Sequence, residues 1–178
     1  MDNFLITHPP FGTGATPRPG ALASNVPAEL ARLFLSERAN THANGFFRFV
    51  SVEPFRHYLS LWGLGPEKCS PFIKCAFGHL VFYHHEQYKV LNPVYDCIDV
   101  LGEKDELDFV MDVMLCDRVG LEQSFLIDVY EQAFPSLGAP DINEMYAFVP
   151  PLGLGGSREA TNVQKVAMEP QMMILAQL

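Results

Sequence analysis

The chain has 178 residues, 48% of them hydrophobic, 12% aromatic and 19% charged, with a mean hydropathy of +0.08. That is enough apolar material for one buried core, and it excludes intrinsic disorder. Twelve Lys and Arg stand against 21 Asp and Glu, so the charge of -9 excludes a phosphate-gripping nucleic-acid surface or an anionic-membrane binder and favours a basic protein partner.

Residues 1–20 hold Pro9, Pro10, Gly12, Gly14, Pro17, Pro19 and Gly20, which predict an extended arm over residues 1–25 ahead of a domain at 26–178. Asn25 can cap a helix with Pro27 in its first turn and Leu30, Leu33 and Phe34 at helical spacing until Asn40. The Asn44-Gly45 turn signal leads into a strand over Phe46–Val52. Phe55, Tyr58, Leu59 and Trp62 form one apolar face of a helix from Pro54, stopped by Gly63 and Gly65. Ala76–Tyr83 and Tyr88–Leu91 read as a hairpin around the four-residue loop from His84 to Gln87. Leu107, Val110, Met111, Met114 and Leu115 match an amphipathic helix, and a second helix covers Gln123–Phe134, ending before Pro135 and Gly138. The tail holds a short apolar run at Met145–Val149, a Pro-Pro step, the glycine loop Gly153–Ser157 and an apolar segment to Leu178. The expected fold is a single α+β domain of short antiparallel strands with about four or five helices.

No charge-free segment reaches the roughly 20 apolar residues of a spanning helix. The N-terminus lacks the basic region and apolar run of a signal peptide, so a cytoplasmic protein is expected. Cys69, Cys75, Cys97 and Cys116 are widely spaced and are expected to be free thiols.

Three constellations carry possible chemistry. The Gly153–Ser157 loop with Arg158 could cradle a nucleotide or phosphate, although it lacks the Lys-Ser/Thr of a P-loop and the full GxGxxG spacing; a structural turn is the plainer reading. His79, His84, His85, Glu86 and Cys75 are zinc-ligand types, but strand parity separates His84 from His79 and His85, and the Cys69-x5-Cys75 spacing matches no common zinc site; no metal or cofactor is expected. No nucleophile motif is present, and His57 reads as a half-exposed helix residue, so no enzyme is expected. The third constellation is acidic: between Asp96 and Glu131 eleven acids stand against Lys104 and Arg118, a surplus equal to the whole net charge. Asp105, Glu106, Asp108 and Asp112, on the outer side of the helix packed through Leu107, are the candidate partner-binding residues, steering a cationic partner; the plainer alternative is a solvated helix face.

The run Glu144–Ser157 (EMYAFVPPLGLGGS), with Asn162–Val166 and Ile174–Leu178, resembles the C-terminal block of the GAD-like immunity proteins of type VI secretion systems, which neutralise secreted DNase toxins. Asn44–Val50 running into Glu53–Trp62, and Ala76–Tyr83, agree with that family, so the resemblance spans residues 26–178. Tyr146, Pro150, Gly153, Gly155 and Gly156 match its pattern and read as architecture. The chain departs from the pattern at His79, where relatives place an acid, and in lacking a glycine beyond Leu178, which suggests a slightly trimmed C-terminus. What the resemblance implies is a non-catalytic inhibitor, held in the toxin-producing bacterium and bound to a cognate, basic DNase effector. Such protection requires nanomolar affinity, about 12 kcal/mol, and charge alone is too salt-sensitive to supply it, so apolar anchors are expected as well. An enzyme or nucleotide-binding module built on the glycine loop, or a scaffold sharing only the fold, are the competing readings.

Overall fold

The computed structural model describes residues 1–12, 26–35 and 40–178. Its centre is a six-stranded antiparallel sheet in sequence order: β1 (Thr41–His42), β2 (Phe47–Phe49), β3 (Ser70–Cys75), β4 (Leu80–His84), β5 (Gln87–Asn92) and β6 (Cys97–Glu103). Both faces of its middle strands are buried, which is why they read as nearly continuous apolar runs. Alternation sends Val81, Tyr83, Tyr88 and Val90 to one core and Leu80, Phe82 and Leu91 to the other. The β4–β5 connection is a two-residue turn, His85–Glu86, with both φ angles positive (50° and 61°), in place of the expected four-residue loop. Consequently His84 ends β4 buried and only His85 reaches solvent.

Helices cover both faces. On the first lie α1 (Asp2–Thr7), α2 (Ala28–Leu35), α4 (Leu107–Asp112), α5 (Arg118–Gln123) and α6 (Ile127–Leu137), contributing Phe4, Leu30, Phe34, Val110, Met111, Leu121 and Tyr130. On the second lie α3 (Val52–Ser60), through Phe55, Tyr58 and Leu59, and α7 (Met168–Leu175), through Met168, Met172 and Leu175. A two-stranded ribbon, β7 (Glu144–Phe148) with β8 (Val163–Ala167), links the layers, since Met145 enters the second core while Tyr146 and Phe148 enter the first.

The single α+β domain is as expected, with seven α-helices among the described residues where four or five were expected. The extended arm is corrected over residues 2–7, which form α1: Phe4 is fully buried, with its ring 5.1–6.4 Å from those of His8, His42, Phe47 and Phe49. Local proline and glycine content predicted a loose leader, and burial of one phenylalanine outweighs it. Residues 8–11 of that arm run against β1, with Pro10 bridging His42; residues 13–25, Asn25 included, and residues 36–39 of the expected second helix lie outside the described residues. The helix expected through Leu115 breaks at Val113, and a short 3-10 turn carries Met114 and Leu115. Leu126, at φ 66°, separates α5 from α6, and α6 continues past Pro135 to Leu137 because a proline in the last turn removes only one hydrogen bond. Trp62 lies beyond α3 in a turn, half-buried, and its Nε1 donates to Asp96 Oδ1 at 2.8 Å.

Candidate interaction surface

α4 follows β6 through a tight connection in which Glu106 Oε2 accepts the Glu103 N–H at 2.8 Å. Leu107, Val110 and Met111 turn inward at i, i+3 and i+4, as the periodicity predicts, which leaves Phe109 and Val113 exposed among the acids. Phe109, 45% exposed, had no place in the charge-based reading of this segment.

The four candidate acids divide into two kinds. Asp105 and Asp108 are exposed, Asp108 touching the Met1 ammonium at 3.1 Å. Asp112 is partly buried: it accepts the Phe4 N–H at 2.9 Å and pairs with the same ammonium, while its carbonyl accepts Asn3 Nδ2 at 2.6 Å. Partial burial would raise its pKa, but the ammonium and the Phe4 N–H outweigh that and hold it below the usual carboxylate range. Glu106 and Asp112 are therefore parts of the fold, fastening the connection to β6 and α1 respectively.

The rest of the acidic surplus is partly spent inside the molecule. Asp117 caps α5 through the Gly120 N–H at 2.8 Å. Arg118 takes Glu122 at 2.6 Å and Glu131 bidentately at 2.8 and 2.7 Å. Arg158 pairs with Asp128 at 3.0 Å. Among the described residues, Asp96, Asp99, Glu103, Asp105 and Glu106 have no cationic side chain within ion-pair distance, while the neighbouring Lys104 is taken by Glu86 at 3.0 Å. Uncompensated negative charge is thus concentrated along β6 and the start of α4.

The other constellations are structural. In the glycine loop the amides that would cradle a phosphate donate internally, Gly155 to the Leu152 carbonyl and Gly156 to the Pro151 carbonyl, each at 3.0 Å. A Cβ at Gly156 would lie 1.9 Å from the Pro150 carbonyl oxygen, and Gly155 sits at φ 84°, so both are glycine for reasons of turn geometry. Arg158, the only cation of that reading, is held by Asp128 and the Glu122 carbonyl. His79 is buried in the β3–β4 turn, not on a strand; its Nε2 donates to the Ser124 carbonyl at 2.9 Å and burial pushes its pKa down to about 4. Among the described residues no group of three His, Cys, Asp or Glu could hold a metal ion. His57, half-exposed, contacts Glu169 at 2.7 Å. Lys74, pushed down to about 7 by burial and the nearby Arg48, gives its Nζ to the carbonyls of Asp141, Ile142 and Glu144, pinning the start of β7 to the sheet. No described helix is long and apolar enough to cross a membrane.

Comparison with known proteins adds three findings. Residues 107–178, beginning at the first residue of α4, match the family model for "T6SS immunity protein Tdi1, C-terminal", which supports placement in a type VI secretion immunity family. The crystal structure of Atu4351 from Agrobacterium tumefaciens superposes with a TM-score of 0.72 at 16% identity, covering 99% of this chain and 88% of that one, a likeness of fold. None of the curated proteins matches this chain.

Proposed function

We propose that this chain is an immunity protein that binds and neutralises a secreted type VI DNase effector in the cytoplasm of the producing cell, without chemistry of its own. The observation that carries the reading is the juxtaposition, at the start of the family match, of uncompensated acids with the exposed Phe109 and Val113. A DNase must present cations to phosphate, and an acidic partner is drawn to the same surface. Asp105, Glu106, Asp108 and Asp112 supply the steering field, and Phe109 and Val113 supply apolar contact that salt does not screen.

The test uses Asp105→Asn/Asp108→Asn, which spares the two acids that fasten the fold, and, as probe, a catalytically inactive variant of a basic type VI DNase effector that the wild-type chain neutralises. Association measured by stopped flow should slow about ten-fold at low salt and less at high salt, as the Debye length shrinks. Phe109→Ala should instead accelerate dissociation. Wild-type association rates for the double variant at both salts would remove the electrostatic part of the proposal; failure of the wild-type protein to bind would remove it altogether.

A further inference from the structure

β6 is the last strand of the sheet, and among the described residues no element pairs with its outer side. Every second residue of an antiparallel edge strand turns its N–H and C=O outward, so β6 presents a row of unmet donors and acceptors. Natural edges are blunted by short length, charged side chains and lysine above all, proline, a bulge or a covering element; the charges β6 offers are the acids Asp99 and Glu103, which repel an acidic strand and admit a basic one. β6 runs for seven residues with neither lysine nor proline, and its one irregularity, opposite the Tyr88/Lys89 step, leaves Cys97–Val100 in regular register with Asn92–Lys89.

The side chains along that stretch are those of a contact surface. Ile98 and Val100, 37% and 52% exposed, share one face of the strand, and Tyr95 is exposed at its start. A depression of about 350 Å³ opens at the same end, lined by Pro93, Val94, Tyr95, Asp96 and Leu152 among others. The charges beside it are the carboxylates of Asp96, Asp99 and Glu103, which among the described residues have no cationic side chain within ion-pair distance, with Lys104 occupied by Glu86.

We infer that β6 accepts an extended, basic segment of the effector as a seventh strand, an inference that rests on the effector-binding reading above. Backbone bonds to the outer edge hold the segment in register. Its lysines or arginines face Asp99 and Glu103, and an apolar side chain fills the depression beside Pro93 and Val94. Charge decides against a second copy of this chain as the occupant, because paired β6 strands would bring together the acidic edges of two molecules of net charge -9.

The experiment compares wild type, Ile98→Lys, Val100→Lys and Asp99→Lys, each binding the same inactive DNase effector, with hydrogen exchange measured on the free and bound protein. The substituted side chains are exposed, so melting temperatures should stay within about 2 °C of wild type. Each lysine variant should weaken the complex at least about ten-fold, mainly through dissociation, and outward amides within residues 97–100 should gain protection in the wild-type complex. If wild type binds the nuclease while these amides exchange at the free rate and the variants bind equally well, the strand-addition inference is overturned and the immunity reading stands. If wild type does not bind, both fail. A wild-type dimer that Val100→Lys dissociates would overturn the choice of occupant.

Discussion

The two edges of the central sheet solve the same physical problem in opposite ways. At one end β1 is only two residues long, and residues 8–11 close over it: the Phe11 N–H donates to the Thr41 carbonyl at 2.8 Å, the Ala43 N–H to the Pro9 carbonyl at 3.3 Å, and His42 Nδ1 to the His8 carbonyl at 2.8 Å. The closing segment contains Pro9 and Pro10, which have no N–H to extend the ladder outward, so the sheet stops there. Phe4 seals the corner beneath. At the other end β6 is long, in regular register from Cys97 to Val100 and apolar on one side there, and carries acids where a guarded edge often carries lysine. One edge is covered by residues 8–11; along the other, among the described residues, no element pairs with the outer side of β6.

The largest effect should come from breaking the closed edge. Phe4→Ala removes a fully buried ring from the aromatic cluster around His8, His42, Phe47 and Phe49 and should cost about 3 to 5 kcal/mol, read from the denaturant midpoint. A midpoint near that of wild type would mean that α1 does not hold the edge.

Acid sharpens the comparison next. Burial depresses His79 to about 4, and burial also lowers His8 at the closed edge, whereas β6 contains no histidine. A histidine with a depressed folded pKa binds its proton more readily in the unfolded chain, so stability present above the unfolded pKa of about 6.5 is lost as pH falls towards the folded value. For His79 that loss approaches about 3 kcal/mol between pH 6.5 and 4. His79→Gln should flatten the slope of unfolding free energy against pH over this window, leaving the contributions of His8 and His84. An unaltered slope would place the proton uptake elsewhere.

The smallest of the three effects belongs to Asp112, which joins α1 to α4. Asp112→Ala leaves the Phe4 N–H without its acceptor and should cost about 1 to 3 kcal/mol. Because Asp112 has a lowered folded pKa, its contribution is present above the unfolded value and fades as pH falls through the folded one. Chemical denaturation at neutral pH and again well below the folded pKa should show the wild-type advantage shrinking. An equal advantage at both would show that the carboxylate charge is not what binds α1.

Much of this was legible in the sequence because it is local. The periodicities of Phe55–Tyr58–Leu59 and Leu107–Val110–Met111 predicted the buried faces of α3 and α4, and the apolar run at Met145–Val149 became β7. β3 was missed because Pro71 and Lys74 interrupt its apolar pattern; Lys74 is buried only because three carbonyls from residues 141–144 receive its ammonium. β6 was absorbed into an acidic run, although Ile98, Asp99 and Val100 already alternate with period two, which is the signal that could have found it. Of the candidate acids Asp108 lies on the exposed face of α4, whereas Asp105 and Glu106 precede the helix and Asp112 is partly buried, and nothing local distinguishes an exposed Asp105 from an Asp112 that fastens α1.

Composition and period therefore determined by themselves that the chain folds as one acidic α+β domain, which segments turn apolar faces inward, and that the charge surplus gathers between Asp96 and Glu131. They could do so because propensity, patterning and charge act over a few neighbouring residues. Only the tertiary structure decided which acids lack a cationic partner among the described residues, that α1 packs where an extended arm was expected, and that among those residues one edge of the sheet is covered while the other has no paired element. Those outcomes depend on pairing residues distant in sequence, such as Phe11 with Thr41 and Phe4 with Asp112, and the free energy of such contacts is set by burial that no local window contains.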